Sequence, residues 1–493
     1  MSAAEAADVL IKKGKRATAA YIQGVCTSQC NSDITNEVFD SILNPLVPIN
    51  DWDSIDWCKW LLAGGRTPED YTQTVQRYDN ATTCGLVWTA NFVAYRCRTC
   101  GISPCMSLCS ECFQRGDHKG HDFNMFRSQA GGACDCGDKS VMKESGFCQR
   151  HGLQNQRNKP EAPPDLLCVA ELLMPRLFLR LVQHLRENSE PDTHHTAMHF
   201  ADGYLSLLQS HSEMGAAMRT VMTRALINPQ IYYMLAVECE SGNHLQYRRE
   251  SLSQYLNARN SLESISEDIS NRDDRTAWYA AEQLKNSSFL DELVFWTIKY
   301  EFPQKLVCLL LNMMPDLTYK ESFTKIFVKH YGLISKMLSK SKDSETLSNR
   351  VVHVSVQLFS NEDLAYQMTK DYDLLQIMVD SLSCMMLSIS QKSTLQFVDC
   401  GHHIMKEHCY WPLVSDLNNV LTHAAVAYEF LSDSNLLNQW FKFLSLFQGM
   451  NVNQRELKTH VEFESNTYYA AFSAELEASA TPMWALISHL KSP

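Results

Sequence analysis

Cysteines and histidines are concentrated between Cys84 and His151, and this stretch most constrains how the chain can fold. Twelve of the 18 cysteines lie before residue 150, most of them within it. When two residues lie between a pair of ligands, both side chains can bind the same tetrahedral Zn²⁺. This separation occurs four times, in Cys97/Cys100, Cys109/Cys112, His118/His121 and Cys148/His151. We therefore expect several metal ions in this stretch.

The number of donors predicts three zinc ions. Cys134 and Cys136 are separated by a single residue, so in an extended backbone they lie on one side, about 7 Å apart, and suit two neighbouring metals as well as one. Three tetrahedral ions need about twelve coordination positions. The stretch offers eleven donors: Cys84, Cys97, Cys100, Cys109, Cys112, His118, His121, Cys134, Cys136, Cys148 and His151. Either one thiolate bridges two ions, or Cys105 is the twelfth donor.

Two other chemistries are disfavoured for this stretch. Protein donors fill every position in the scheme, which leaves no place for an activated water, so we expect structural zinc and not a zinc hydrolase. A disulfide framework is disfavoured by the histidines at chelating spacing. The first residues, Met-Ser-Ala-Ala-Glu-Ala-Ala-Asp, contain acidic residues and no apolar run, so we expect no secretory signal.

The order of these donors, with Gly-Gly-Ala-Cys-Asp-Cys-Gly-Asp at residues 131–138, resembles the UBR box, the substrate-binding zinc module of the N-recognin E3 ubiquitin ligases. The resemblance implies that one zinc is held by Cys97, Cys100, His118 and His121. It implies a binuclear pair held by Cys84, Cys109, Cys134, Cys136, Cys148 and His151, with Cys112 as the bridge. Cys105 is then left without a metal.

The resemblance also implies a pocket for the free amino terminus of another protein. Asp135 and Asp138 flank the binuclear ligands and offer acidic groups for an α-ammonium, and the two glycines before Ala133 would let a peptide backbone approach closely. In an alternative interpretation, the two aspartates only orient the metal-binding loop through hydrogen bonds.

Two positions of the implied pocket depart from the family pattern. Family members that bind a basic first residue have a third acidic residue three positions after the second cysteine of Cys-x-x-Cys, where this chain has Ser103. Ala133 replaces the aromatic residue that precedes Cys-Asp-Cys in the family. We therefore expect weak binding of N-terminal Arg or Lys.

Helical patterns flank the zinc module, so the predicted fold is mostly α. We divide the chain into a helical collar (1–80), the zinc module (81–155), a linker (156–164) and an all-helical scaffold (165–493). In the collar, Ser54 is a candidate helix cap, Gly64 ends a helix and Thr67-Pro68 begins another.

The scaffold pattern predicts an α-solenoid or an irregular helical bundle. It shows no strict period, so it indicates no named repeat. Asp165 is a candidate cap for the first scaffold helix, in which Pro175 is expected to cause a kink or a break. A second Cys/His cluster, between Cys400 and Cys409, lacks two chelating pairs, and we interpret it as helix packing.

Composition excludes several classes of partner. The net charge of −12 gives no basic surface for nucleic acid. No run approaches about 18 uninterrupted apolar residues, so no membrane span is expected. The basic run at residues 12–16 fits a solvated helix face better than a localisation signal. We expect a cytoplasmic or nuclear location.

These observations predict the substrate-recognition part of an E3 ubiquitin ligase, which binds N-terminal degrons or a partner's amino-terminal segment for ubiquitin-dependent degradation. The sequence after His151 lacks the Cys/His pairs of a RING domain. We therefore expect no catalytic residues here. Contact with a ubiquitin-conjugating enzyme is expected only through parts outside this chain. The chain itself would be a fragment or a short form of a larger ligase. The alternative is a non-enzymatic, zinc-stabilised interaction scaffold.

Overall fold

The structure is a computed structural model that describes residues 2–28, 33–88, 91–128, 131–152, 160–238, 243–270, 288–391, 397–447, 473–474 and 476–490. Residues 156–159 of the predicted linker lie outside these ranges. Residues 160–163 have no regular secondary structure and lead directly into a long helix.

The amino-terminal collar consists of five helices: α1 (Ala3–Lys12), α2 (Lys15–Thr27), α3 (Asp33–Ile42), α4 (Trp52–Ala63) and α5 (Pro68–Arg77). Gly64 ends α4 in the left-handed conformation, and Thr67 caps α5 with Pro68 in its first turn, as the sequence predicts. The prediction that Ser54 caps α4 is wrong. Asp51 is the cap, and Ser54 donates its backbone N–H to the Asp51 carboxylate at 2.8 Å.

Short strands and one helix form the zinc module. The elements are β1 (Val87–Trp88), β2 (Val93–Cys97), β3 (Leu108–Cys109), α6 (Ser110–Arg115), β4 (Phe123–Arg127) and β5 (Gly132–Ala133). One antiparallel sheet has the order β3-β2-β4, and a separate antiparallel pair joins β1 to β5 with Val87 opposite Ala133. The module has its own small core, built largely from its cysteines with Trp88, Met106 and Leu108.

Consecutive helices follow the module. They are α7 (Pro164–Glu187), α8 (His194–Phe200), α9 (Asp202–Ser212), α10 (Ala216–Ile227), α11 (Pro229–Tyr232), α12 (Leu245–Ser270), α13 (Phe289–Lys299), α14 (Gln304–Leu311), α15 (Leu317–Lys329), α16 (Tyr331–Lys340), α17 (Ser344–Phe359), α18 (Glu362–Tyr372), α19 (Leu374–Ser388), α20 (His403–Lys406), α21 (Trp411–Leu421), α22 (Ala424–Ser432), α23 (Ser434–Ser445) and α24 (Thr481–His489). Strands β6 (Ser390–Gln391) and β7 (Phe397–Val398) pair between α19 and α20.

The start of α7 differs from its prediction in two respects. Pro163 occupies the cap position, and Asp165 lies in the first turn. There its negative charge interacts favourably with the positive amino-terminal end of the helix dipole. Pro175 does not divide the helix, which continues to Glu187. Extensive burial of α7 supplies packing that offsets the loss of one backbone hydrogen bond at Pro175.

The collar and the helices after the module share one apolar core, which also includes Val87 and Ala133 of the module. Helix α2 packs on α7, and Gln23 donates to the carbonyl oxygen of Asp165 at 2.6 Å. Among the described helices, none combines the length and the apolar character needed to cross a membrane.

Candidate metal centre and its surroundings

Four donors gather at the end of β2. Cys97 is the last residue of β2 and Cys100 follows in a turn closed by a 2.9 Å hydrogen bond from the Gly101 N–H to the Cys97 carbonyl oxygen. The Nδ1 atom of His121 lies 3.6 Å from Cys97 Sγ and 3.3 Å from Cys100 Sγ. With His118, these residues form a group whose donor atoms all lie within 4.8 Å of one another.

Two further groups of four donors share Cys112. The first consists of Cys84, Cys109, Cys112 and Cys134, and the second of Cys112, Cys136, Cys148 and His151. Helix α6 carries Cys112 between the two, 4.0 Å from Cys148 Sγ and 3.5 Å from His151 Nδ1. Backbone N–H groups donate to sulfur within this cluster, from Cys109 to Cys134 Sγ at 3.2 Å and from Cys148 to Cys136 Sγ at 3.3 Å.

The chemistry of the three groups fits Zn²⁺. A tetrahedral zinc with sulfur ligands at about 2.3 Å holds neighbouring sulfurs about 3.8 Å apart, and the 4.0 Å between Cys112 and Cys148 is close to that value. Hydrogen bonds with Cys109 raise the pKa of Cys112 well above its usual range, while hydrogen bonds from Cys112 lower the pKa of Cys109 and Cys148. So many thiols in contact cannot all ionise unless cations lie between them.

The structure places Cys105 apart from these donors. Its side chain is exposed, and among the described residues it joins none of the three groups. The five cysteines and histidines of the sequence cluster at residues 400–409 also belong to none of the three groups. Cys409 Sγ donates to Ser344 Oγ at 3.2 Å, His402 caps α20, and no group of metal-binding geometry forms there within the described part of the chain.

Asp135 and Asp138 both accept hydrogen bonds within the module. Asp135 Oδ2 accepts from the backbone N–H of Ser107 at 2.7 Å, and Asp138 Oδ1 accepts from the backbone and hydroxyl of Ser140 at 2.9 and 2.6 Å. Burial raises the pKa of Asp135 to about 7, a rise that the Ser107 bond opposes and the charge of Asp138 reinforces. These bonds support the loop that carries Cys134 and Cys136, and the bond from Ser107 uses Oδ2 of Asp135.

Ser103 lies beside the same loop. Its backbone N–H and that of Ile102 donate to the Val141 carbonyl oxygen at 3.1 and 2.9 Å, and its hydroxyl accepts from the Cys105 N–H at 3.3 Å. The structure therefore brings Ser103 and the turn that begins at Asp138 into one neighbourhood. This is the arrangement required if a residue at position 103 is to influence a ligand held by the aspartates.

Ala133 and Gly131 face the helical region, whereas Gly132 lies against the Trp88 indole of the module itself. Ala133 is buried, in the core shared with the helices, opposite Val87. A Cβ added to Gly131 would lie 2.1 Å from the ring of His353 on α17, and one added to Gly85 would lie 2.2 Å from Pro315. The surface at Gly131, which we expected a peptide backbone to approach, is therefore covered by the protein's own helices. Sequence reasoning missed His353 and Pro315, because no local pattern marks a contact across about 220 residues of chain.

Comparison with known proteins agrees with this geometry. Residues 83–151 match the family model for the zinc finger in N-recognin, the UBR box, and residues 280–483 match the model for the UBR1/2/3-like ARM repeat domain. The chain therefore combines a zinc-finger region of the UBR-box type with an ARM-repeat helical domain. The predicted fold class is confirmed. The sequence pattern, which has no strict period, indicated no named repeat, whereas the family model identifies ARM repeats.

The most similar relatives that we compared are UBR3 proteins. The chain is 48% identical over 490 residues to E3 ubiquitin-protein ligase Ubr3 of Drosophila melanogaster, covering 97% of this chain and 22% of the relative. Identity is 47% over 552 residues with the Danio rerio protein (98% and 29%) and 48% over 506 residues with human UBR3 (89% and 27%). The chain thus spans between a fifth and a third of the length of these relatives.

Proposed function

We propose that this chain is the substrate-recognition part of an E3 ubiquitin ligase, and that its UBR box binds the free amino terminus of a protein. The observation that carries the proposal is the set of three donor groups, two of which share Cys112, beside a loop that bears Asp135 and Asp138. The proposed division is a collar (1–80), the UBR box (81–155), a linker (156–164) and the helical scaffold (165–493).

The proposed metals are three structural zinc ions. One would be held by Cys97, Cys100, His118 and His121, and two would be bridged by Cys112 and completed by Cys84, Cys109, Cys134, Cys136, Cys148 and His151. Zinc supplies cross-links that a module with so small a core needs in order to fold. Protein atoms fill every position in this scheme, so the proposed ions serve structure and not hydrolysis.

Electrostatics support a cationic ligand near the binuclear site. Two Zn²⁺ ions with six thiolates and a neutral histidine would carry a net charge of about −2, and Asp135 and Asp138 add carboxylates on the adjoining loop. Because Ser103 cannot add a third carboxylate, an amino terminus with a small or apolar first residue should bind better than one with Arg or Lys.

The hydrogen bonds made by the two aspartates also favour a second candidate function. Asp135 holds the backbone of Ser107, and Asp138 holds Ser140. If these bonds are the only role of the carboxylates, the module is a zinc-stabilised scaffold that joins the collar to the helical domain. In either case we propose a cytoplasmic or nuclear protein, with ubiquitin transfer and conjugating-enzyme contact in parts of the longer ligase outside this chain.

The two candidates are distinguished by binding of peptides that differ only at the first residue and at its amine. The full chain, loaded with zinc, is titrated with fluorescent peptides that begin with Ala, Leu or Arg, each with a free or an acetylated amine. We expect saturable binding of the free Ala peptide and loss of binding on acetylation, because acetylation removes the positive charge. Equal signals from free and acetylated peptides across the series would reject the amino-terminal site and favour the scaffold.

A further inference from the structure

We propose that His353, on α17, closes the face of the zinc module formed by Gly131–Ala133 and limits the size of the first residue that the module admits. This inference rests on the proposed binding of amino termini. It assigns part of the specificity to a side chain of the helical domain and not of the zinc module itself.

The contact between His353 and Gly131 is close. A Cβ built on Gly131 would lie 2.1 Å from Cε1, 2.2 Å from Nδ1 and 2.8 Å from Nε2 of the imidazole. Side-chain carbons do not approach other atoms this closely, so only a glycine fits against the ring. His353 is 8% exposed. Burial lowers the pKa of His353 to about 4, against the effect of a hydrogen bond with the backbone of Gly132, so the ring is neutral at pH 7.

Neighbouring contacts hold the module against the same helices. Pro315, between α14 and α15, lies where a Cβ on Gly85 would be, and β1 packs against α14. Val87 and Ala133 are buried in the core that the helices form. Lys320 of α15 opposes the rise in the pKa of Asp135, so its positive charge lies near that carboxyl. His353 is therefore one part of an extended surface that covers β1 and β5.

This surface fills the space beside the small side chain of Ala133 that a ligand could otherwise occupy. The sequence alone suggests that Ala133 leaves room for the first side chain of a bound peptide. In the structure, that room is filled from the helical domain, since Ala133 is 9% exposed and His353 lies against Gly131. A long first side chain would have to displace the imidazole, whereas Gly, Ala or Ser would extend less far toward it.

The closure is tested without a ligand by a double-mutant cycle in the full zinc-loaded chain. Gly131→Ala should lower the midpoint of thermal unfolding because its Cβ meets the ring, and adding His353→Ala should remove most of that loss. Gly132→Ala is the matched control, because its Cβ would meet the Trp88 indole at 2.5 Å. His353→Ala should not relieve that loss. Zinc content is measured for every variant to confirm that the module is loaded.

The size limit is tested by peptide binding to the wild type and to His353→Ala. His353→Ala should raise the affinity for a Leu-starting peptide about tenfold relative to an Ala-starting peptide, which is the change expected when room for a buried apolar side chain is created. His330→Ala is the control, since His330 is also a buried histidine of the helical domain with its pKa lowered to about 4 by burial. It should leave the Leu-to-Ala ratio unchanged.

Each result bears on one part of the proposal. Additive losses from Gly131→Ala and His353→Ala would overturn the closure. Coupled losses with the same Leu-to-Ala ratio in the wild type and His353→Ala would overturn the size limit. Coupled losses with no binding of any free amino terminus to either protein would support the closure and reject the proposed function.

Discussion

Arg186 and Glu292 form a bidentate ion pair in the interior of the helical domain, with Nε to Oε1 at 2.6 Å and Nη2 to Oε2 at 2.8 Å. Both side chains are almost fully buried. Tyr232 donates its hydroxyl to Glu292 Oε2 at 2.6 Å, and the Trp296 indole N–H donates to Oε1 at 3.1 Å. The pair therefore ties α7 to α11 and α13 through a fully hydrogen-bonded network.

Removing the negative charge of this pair should destabilise the fold strongly. Glu292→Gln leaves the Arg186 guanidinium buried without a counter-charge, and the free energy of unfolding should fall by about 3–5 kcal/mol. Chemical denaturation followed by circular dichroism measures this change. Lys370→Ala, which breaks the exposed pair with Glu429, is the control and should have little effect. An effect of Glu292→Gln no larger than that of the control would contradict this role for the network.

Asp416 should make stability depend on pH. It is buried and accepts from Tyr331 Oη at 2.9 Å and Ser355 Oγ at 2.5 Å, and burial raises its pKa from 3.8 to about 7. The folded state therefore binds a proton more tightly than the unfolded state does. The stability that this carboxyl contributes is fully present below about pH 4 and is lost as pH rises to about 7.

The corresponding measurement is the unfolding free energy of wild type and Asp416→Asn between pH 5.5 and 8. The wild type should lose stability relative to the variant as pH rises through this range, because only the wild type must release the proton. Above pH 8 the difference should be constant. Parallel curves over the whole range would show that Asp416 does not titrate as the structure implies.

Elemental analysis of the purified full chain should find three zinc ions per molecule, because each of the three donor groups offers four ligand atoms once Cys112 is shared between two of them. Removal by a chelator should unfold the module and lower the midpoint of thermal unfolding, since the module's core is built largely from its metal-binding cysteines. Two zinc ions per folded chain would refute the bridged arrangement.

Two single-sulfur variants distinguish the bridge from the alternative with a twelfth donor. Cys105→Ser should keep all the zinc, because Cys105 is exposed and apart from the donor groups. Cys112→Ser should disrupt the binuclear site and leave about one zinc per chain. The zinc content of the two variants, prepared side by side, distinguishes a bridging Cys112 from Cys105 as a twelfth ligand. Loss of a metal from the Cys105 variant would establish it as a ligand.

Ser103→Asp should raise the affinity for a peptide that begins with Arg about ten- to a hundredfold, because a charge-assisted hydrogen bond contributes about 1.5–3 kcal/mol. Titration of the free and acetylated Arg peptide measures the gain, which acetylation should abolish. Thr74→Asp, on collar helix α5, serves as a control with an equal charge change. Micromolar binding of the Arg peptide by the wild type, unchanged in Ser103→Asp, would disprove this account of position 103.

The zinc donors and several helix ends could be read from the sequence because they depend on residues close together in the chain. Cys-x-x-Cys spacing brings two ligands to one metal whatever surrounds them. The left-handed end at Gly64 and the Thr67-Pro68 start likewise require only their neighbours. The choice of Asp51 over Ser54 as a cap could not be made this way, because both residues have suitable side chains and backbone geometry decides between them.

The tertiary structure decided what surrounds the donors. The sequence indicated open space beside Ala133 and free glycines before it, whereas the fold places His353 against Gly131. It also brings Arg186 to Glu292, and Tyr331 and Ser355 to Asp416. Such contacts join residues tens to hundreds of positions apart, and they depend on how whole helix faces pack, a property that no short pattern encodes. The sequence alone therefore determined which cysteines and histidines form the three donor groups, and the packing of the helices determined which faces of the module they cover.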